Sequence, residues 1–254
     1  MAKKDETKKG SYEARYNELV IEDQEAIVRI SSITADRLRN IFGLHFSKTE
    51  GGPADPRVPL IIFTETYDAV IEHLVKRRKG TAKMDAKQYD SFQLNFANRF
   101  VIGFDNVEND DDEKEGNFMI FIKDIRDGKT VEEPRDPDAC PSEKAVEWVN
   151  QNITENPEAI KEISLDALDR LAKYGICFYN HELIMPIFCT MYDTMVEYID
   201  MERKELDDYE YEINFAGCFF VSACENADGG SDIIFRPSID SKTALKDDGS
   251  SGSR

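Results

Sequence analysis

Apolar positions along the chain switch between two periods. Over 60–79, Ile62, Phe63, Tyr67, Val70, Ile71, Leu74 and Val75 recur at helical spacing, which predicts a long helix with one buried stripe. Ahead of it, Thr34 before Asp36, Leu38 and Ile41 reads as a cap signal, and Gly43 closes a short helix. The Gly- and Pro-rich stretch 47–59 between them reads as a loop. After the long helix the period falls to two: Leu94, Phe96, Phe100 and Ile102 share one face of a strand over 92–104. The acidic stretch 105–116 turns the chain, 117–125 returns as a second strand, and a Pro- and Asp-rich link over 127–141 leads to a helix at 142–152. The second half predicts helices at 164–174 and 181–203, the latter with Pro186 near its first turns, where proline is best tolerated. Strands follow at 209–224 and 233–237 around a turn containing Gly229 and Gly230, then a short helix at 241–246. For 12–32 the apolar positions fit a strand or a helix, and periodicity does not decide between them.

The two halves share short segments in the same order. Ile33-Thr34-Ala35-Asp36-Arg37-Leu38 matches Ile163-Ser164-Leu165-Asp166-Ala167-Leu168. Tyr67-Asp68-Ala69-Val70-Ile71-Glu72 matches Tyr192-Asp193-Thr194-Met195-Val196-Glu197. Leu94-Asn95-Phe96-Ala97-Asn98-Arg99-Phe100 matches Ile213-Asn214-Phe215-Ala216-Gly217-Cys218-Phe219. The offset shrinks slowly from the first pair to the third, as loop insertions between duplicated units would produce. Each pair is short, but three in order on the same kind of element point to an internal repeat. The expected class is α+β, arranged as an N-terminal arm (1–32), unit one (33–152), unit two (153–247) and a polar tail (248–254).

Charge narrows the function. The formal net charge is −19 over 254 residues. A nucleic-acid binder works by neutralising phosphates with Lys and Arg, so a chain this acidic is repelled unless its cations gather on one face. The dense basic runs are Lys3-Lys4 with Lys8-Lys9, and Lys76-Arg77-Arg78-Lys79; the plain reading of both is solvated surface charge. No apolar run approaches the roughly 20 residues that cross a bilayer, so no membrane role is expected. The Lys-rich start has no apolar stretch behind it and does not read as a secretory signal. Cys140, Cys177, Cys189, Cys218 and Cys224 are odd in number and lack C-x-x-C spacing. Four of them sit among Phe, Ile, Tyr or Val, which reads as free buried thiols rather than a disulfide framework.

Candidate chemistry is sparse. His45, His73 and His181 each stand apart from Cys or acidic pairs at metal-ligand spacing, and His73 reads as a partly exposed helix residue. The acidic run from Asp105 fails a calcium loop, because Val107 and Asp110 fall where a ligand and a glycine are needed. No G-x-G-x-x-G, P-loop or G-x-S-x-G occurs. The aromatic clusters alternate with other apolar residues and read as core rather than as a base-stacking platform. No enzyme, cofactor or metal is expected from these residues.

The order of elements and several motifs resemble the bacterial histone-like HU and integration host factor family. In that family the long second helix leads into a strand similar to LPGFGTFSV. Here the corresponding stretch is Ile213-Asn214-Phe215-Ala216-Gly217-Cys218-Phe219-Phe220-Val221. Phe235-Arg236-Pro237-Ser238 and Lys242-Thr243-Ala244-Leu245-Lys246-Asp247 resemble the family's closing Pro-x-Phe segment and helix. The likeness covers 163–247 closely and 33–152 more loosely. It implies an intertwined core in which saddle-strand phenylalanines are shared, so Phe96, Phe100, Phe215 and Phe219 are expected between the two units. The family's DNA-binding arms do not carry over. Their places hold Asp105-Asn106-Val107-Glu108-Asn109-Asp110-Asp111-Asp112-Glu113 and Glu225-Asn226-Ala227-Asp228-Gly229-Gly230, which are short, acidic and without the proline that wedges between base steps.

A fold shared with a DNA bender does not settle function. The chain is similar to the tail and ring structural proteins of crAss-like bacteriophages, which resemble integration host factor subunits. That resemblance implies a structural virion protein that is present in the host cytoplasm during assembly. Its partners would be other virion proteins and copies of itself in a ring, with DNA binding disfavoured. The competing expectation is a nucleic-acid-associated architectural protein that binds through Lys76, Arg77, Arg78, Lys79 and the basic N-terminus. A variant of that reading is an acidic DNA mimic that sequesters a basic partner.

Overall fold

A computed structural model of the chain describes residues 10–47, 54–81, 92–107, 117–126, 131–205, 210–225 and 231–238. The basic start at 1–9, most of both acidic loops, the helix expected at 241–246 and the tail lie outside the described residues. Among the described residues, six α-helices and two three-stranded antiparallel sheets make an α+β fold.

The first helix, α1 (Tyr12–Glu18), is capped by Ser11, whose hydroxyl accepts from the Ala14 amide, and it buries none of its residues. The second, α2 (Gln24–Phe42), starts well before the position the sequence suggested. Its cap is Asp23, whose carboxylate accepts from the Ala26 amide. Thr34 is not a cap. It is buried in mid-helix, and its hydroxyl donates back to the Ile30 carbonyl at 2.9 Å. The boundary expected at 32/33 therefore falls inside α2, and the arm expected over 1–32 contains α1 and the first turns of α2. Gly43, with φ 71°, closes α2 in the left-handed region.

The long helix α3 (Arg57–Thr81) leads to β1 (Phe92–Phe96), β2 (Phe100–Val107) and β3 (Asn117–Asp124), in sheet order β1-β2-β3. Next come α4 (Pro141–Asn152) and α5 (Pro157–Ala172), each with proline at its start, then a 3₁₀ turn (His181–Leu183) and α6 (Ile184–Glu205). The chain closes with β4 (Glu210–Phe215), β5 (Phe219–Glu225) and β6 (Ser231–Pro237), in order β4-β5-β6.

The two stretches expected as single strands, 92–104 and 209–224, are each a hairpin. Ala97 and Asn98 both have φ 55°, while Ala216 and Gly217 have φ 53° and 79°. Two successive left-handed residues make the turn that suits the twist of a hairpin. A buried asparagine holds each turn. Asn95 Oδ1 accepts from the Asn98 amide at 2.8 Å, and Asn214 Oδ1 accepts from the Gly217 amide at 3.0 Å.

The helices pack crosswise in sequence. The early helix α2 lies on the late helix α6, α5 lies on α3, α3 and α6 touch, and β3 meets β6. One continuous core joins both halves. The cysteines depart from expectation. All five are free, but only Cys189 and Cys218 are buried; Cys140 and Cys177 are exposed and Cys224 is half-buried. Cys177 lies in the loop after α5, and Cys224 stands opposite Asp232 near the end of β5.

Candidate interaction surface

The centre of the molecule is a cluster of rings arranged reciprocally. On α3, Phe63 and Tyr67 meet the β4–β5 turn, with Phe63 to Phe215 at 5.2 Å and Tyr67 to Phe219 at 5.4 Å between centroids. On α6, Phe188 and Tyr192 meet the β1–β2 turn, with Phe188 to Phe96 at 5.3 Å and Tyr192 to Phe100 at 3.9 Å. Phe63 and Phe188 touch at 4.7 Å and link the two sets. The four phenylalanines selected from the sequence, Phe96, Phe100, Phe215 and Phe219, are all essentially buried and pack against helix rings from the opposite half. Edge-to-face and offset geometries of this kind add about 0.5–1.5 kcal/mol per pair beyond area burial.

Behind each turn sits a carboxylate, and here the halves differ. Arg99, from the β1–β2 turn, reaches Asp193 on α6 through its Nε at 2.9 Å. Burial raises the pKa of Asp193, and the Arg99 charge opposes that rise. In the other half Asp68 follows Tyr67 as Asp193 follows Tyr192, but the turn residue in the place of Arg99 is Cys218. Its thiol is buried and pushed well above its ordinary pKa by that burial. The β4–β5 turn thus offers Asp68 no cation.

The cation comes from α1. Arg15 Nε donates to Glu65 Oε1 at 2.6 Å, another nitrogen of its guanidinium stands 3.6 Å from Asp68, and the group lies over the Tyr174 ring at 5.9 Å. The Glu65 side chain is only 4% exposed. Partial burial, then the Glu65 charge, push Asp68 up to about 6, against the pull of Arg15 and the weaker pull of Arg170. The strap also packs Tyr12, Tyr16 and, beyond its end, Leu19, all partly buried, against the core. Tyr12 Oη donates to Asp55 at 3.0 Å, and Arg57, which forks onto the same carboxylate, lies over the Tyr12 ring. Past α1, Val20 closes over Gly217, where a Cβ would come within 3.3 Å of it. Sequence reasoning missed Arg15. A lone cation between Tyr12 and Tyr16 carries no local signal, and its partners are 50 residues away.

The basic run on α3 is not a bare cation stripe. Lys76 pairs with Glu72 at 2.8 Å, and Glu72 also pairs with Arg170 of α5. The Arg77 guanidinium sits 3.7 Å over the Phe92 ring, and Arg78 is half-buried. The Lys79 side chain is outside the described ones. His73 stands 3.7 Å from Glu162 with its pKa lowered by burial, and His181 lies beside Glu182 at 3.3 Å. Among the described residues no group of three His, Cys, Asp or Glu is placed to hold a metal, and no helix is long and apolar enough to cross a membrane.

Neither a protein-family model, nor a curated protein, nor a solved structure matches the chain.

Proposed function

We propose that this chain is a structural assembly protein: two HU/integration host factor-like units duplicated in tandem, without the DNA-bending arms, serving as a tail or ring component of a bacteriophage virion. The observation that carries this reading is the reciprocal seating of Phe188 and Tyr192 on the β1–β2 turn and of Phe63 and Tyr67 on the β4–β5 turn. Two subunits of an intertwined dimer, fused in one chain, would share a core in that way. The likeness to virion proteins is a fold-level analogy, and net charge supports it. A surface carrying −19 repels a phosphate backbone and suits protein partners with basic faces. The pairing of Lys76 with Glu72 further weakens the case for phosphate contacts through α3.

The test is a gel shift with duplex DNA across a salt series, beside light scattering of the protein alone and with candidate virion partners. The assembly reading expects no salt-dependent shift, together with a defined oligomer or a partner-dependent complex. Binding that weakens steeply as salt rises would return the chain to the nucleic-acid class.

A further inference from the structure

We propose that Arg203, in the last turn of α6, anchors a binding site for a single oxyanion, a phosphate or a carboxylate. The proposal stands apart from the assembly reading, since it concerns a ligand of one chain. The Arg203 side chain is only 7% exposed and continues the stripe of α6 that buries Tyr192, Met195, Val196 and Ile199. A guanidinium there brings five donors and a charge that deprotonation does not relieve. Its Nε is closed off from water and has no hydrogen-bond partner. Among the described residues, the carboxylate that comes within 4.0 Å is Asp200, whose Oδ1 stands 3.8 Å from Nη2. Asp200 is engaged elsewhere: Lys204 Nζ donates to it at 2.6 Å, and the Ser231 hydroxyl donates to it as well. A shielded charge that makes no hydrogen bond is strongly penalised.

The chain's other shielded arginines set the comparison. Arg15, Arg99, Arg126 and Arg170 are all more exposed than Arg203. Each nevertheless holds a carboxylate oxygen within hydrogen-bond distance, at 2.6, 2.9, 2.7 and 3.0 Å in that order. The internal correspondence sharpens the contrast. Arg78 and Arg203 stand eleven residues after Tyr67 and Tyr192, and Arg78 is both less buried and engaged. A guanidinium fork suits an oxyanion, whose oxygens accept from two of its nitrogens at once. The local charges agree. Arg203 and Lys204 against Asp200 leave one positive charge over, while the neighbouring Glu202 is paired with Arg29.

Thermal unfolding of the full-length chain at pH 7 tests this, in sodium phosphate and in sodium acetate, each against sodium chloride at equal ionic strength. The wild type is expected to show a saturable rise in melting temperature beyond its response to chloride. Arg203→Met keeps an apolar stem and drops the charge. It is expected to lose that rise and to be at least as stable as wild type in chloride. A response to phosphate alone assigns a phosphate ligand. A response to acetate as well assigns a carboxylate, the form in which a partner's Asp or Glu would arrive. Parallel responses of the two chains would overturn the proposal, because phosphate stabilises folded proteins generally through its exclusion from their surface. So would a wild type that responds to neither anion. If Arg203→Met fails to fold, the Arg203 Nε–H resonance of isotope-labelled wild type decides: a saturable shift on titration supports the site, and an unchanged resonance overturns it.

Discussion

Arg99 and Asp193 join the β1–β2 turn to α6: one Nε donates to both carboxylate oxygens, at 2.9 and 3.1 Å. Both side chains are largely shielded from water. Arg99→Ala is therefore expected to cost about 2 kcal/mol at pH 7, the scale of losing a charge-assisted bond to a shielded carboxylate. Asp193 already has a raised pKa in the folded chain, and without Arg99 it rises further. The folded state then takes up a proton more readily than the unfolded one, so the penalty should shrink as pH falls below that pKa. Urea unfolding at pH 7 and pH 4.5 checks this; an equal loss at both would mean the pair does not matter electrostatically.

Phe188 is fully buried and touches Phe63, Phe96 and Phe100, so it belongs to both halves of the core at once. Phe188→Ala is expected to cost about 3–5 kcal/mol. Because α2 packs on α6 and α5 on α3, neither half keeps its core without the other. The loss should lower a single calorimetric transition whose van't Hoff and calorimetric enthalpies agree. Two separable transitions, with Phe188→Ala moving only one, would show that the halves fold independently.

The long helices were legible because their apolar stripe recurs over several turns, as from Ile62 to Val75 on α3. The hairpin turns were not. Ala97 and Ala216 adopt left-handed angles, and alanine carries no turn signal; the buried Asn95 and Asn214 side chains that hold those turns act through tertiary placement. Thr34 imitates a cap and sits in mid-helix, because a threonine can satisfy its hydroxyl on the preceding turn. The ring cluster was legible as a set of residues, from the repeated Phe-x-x-x-Phe spacing at 96–100 and 215–219. The Arg15 site was not, since the contact depends on which half lacks an arginine in its turn.

Gly103 lies in the middle of β2, opposite Phe121 on β3 and Gln93 on β1. A Cβ there would fall 2.5 Å from the Phe92 carbonyl oxygen and 2.7 Å from the Phe121 ring. The first is backbone and cannot swing away, so Gly103→Ala must push β1 and β2 apart. The expected loss is about 2–3 kcal/mol, the range for overpacking a tight site. Phe121→Ala removes the ring but not the carbonyl, so it should rescue Gly103→Ala only in part. A double mutant restored to the stability of Phe121→Ala alone would place the whole clash on the ring.

Asp68 gives the chain a pH dependence of opposite sense to most carboxylates. Its folded pKa, about 6, lies above the ordinary 3.8, chiefly through partial burial and the neighbouring Glu65. Between those two values the folded chain holds more of this proton than the unfolded chain. Stability from this group is therefore fully present below pH 3.8 and is lost as pH rises through 6. The side chain is still half exposed, so solvent screening keeps the effect modest. Asp68→Asn removes the titration while keeping an oxygen for Arg15. It is expected to flatten the fall in melting temperature between pH 4 and pH 7 and to leave the variant at least as stable as wild type at pH 7. Arg15→Ala should do the reverse. Without Arg15, Asp68 keeps only the weaker pull of Arg170 and becomes harder to ionise, so the fall should steepen and move to higher pH. Parallel melting curves for all three chains across that range would mean that Asp68 does not titrate in this window and that the strap does not control its charge.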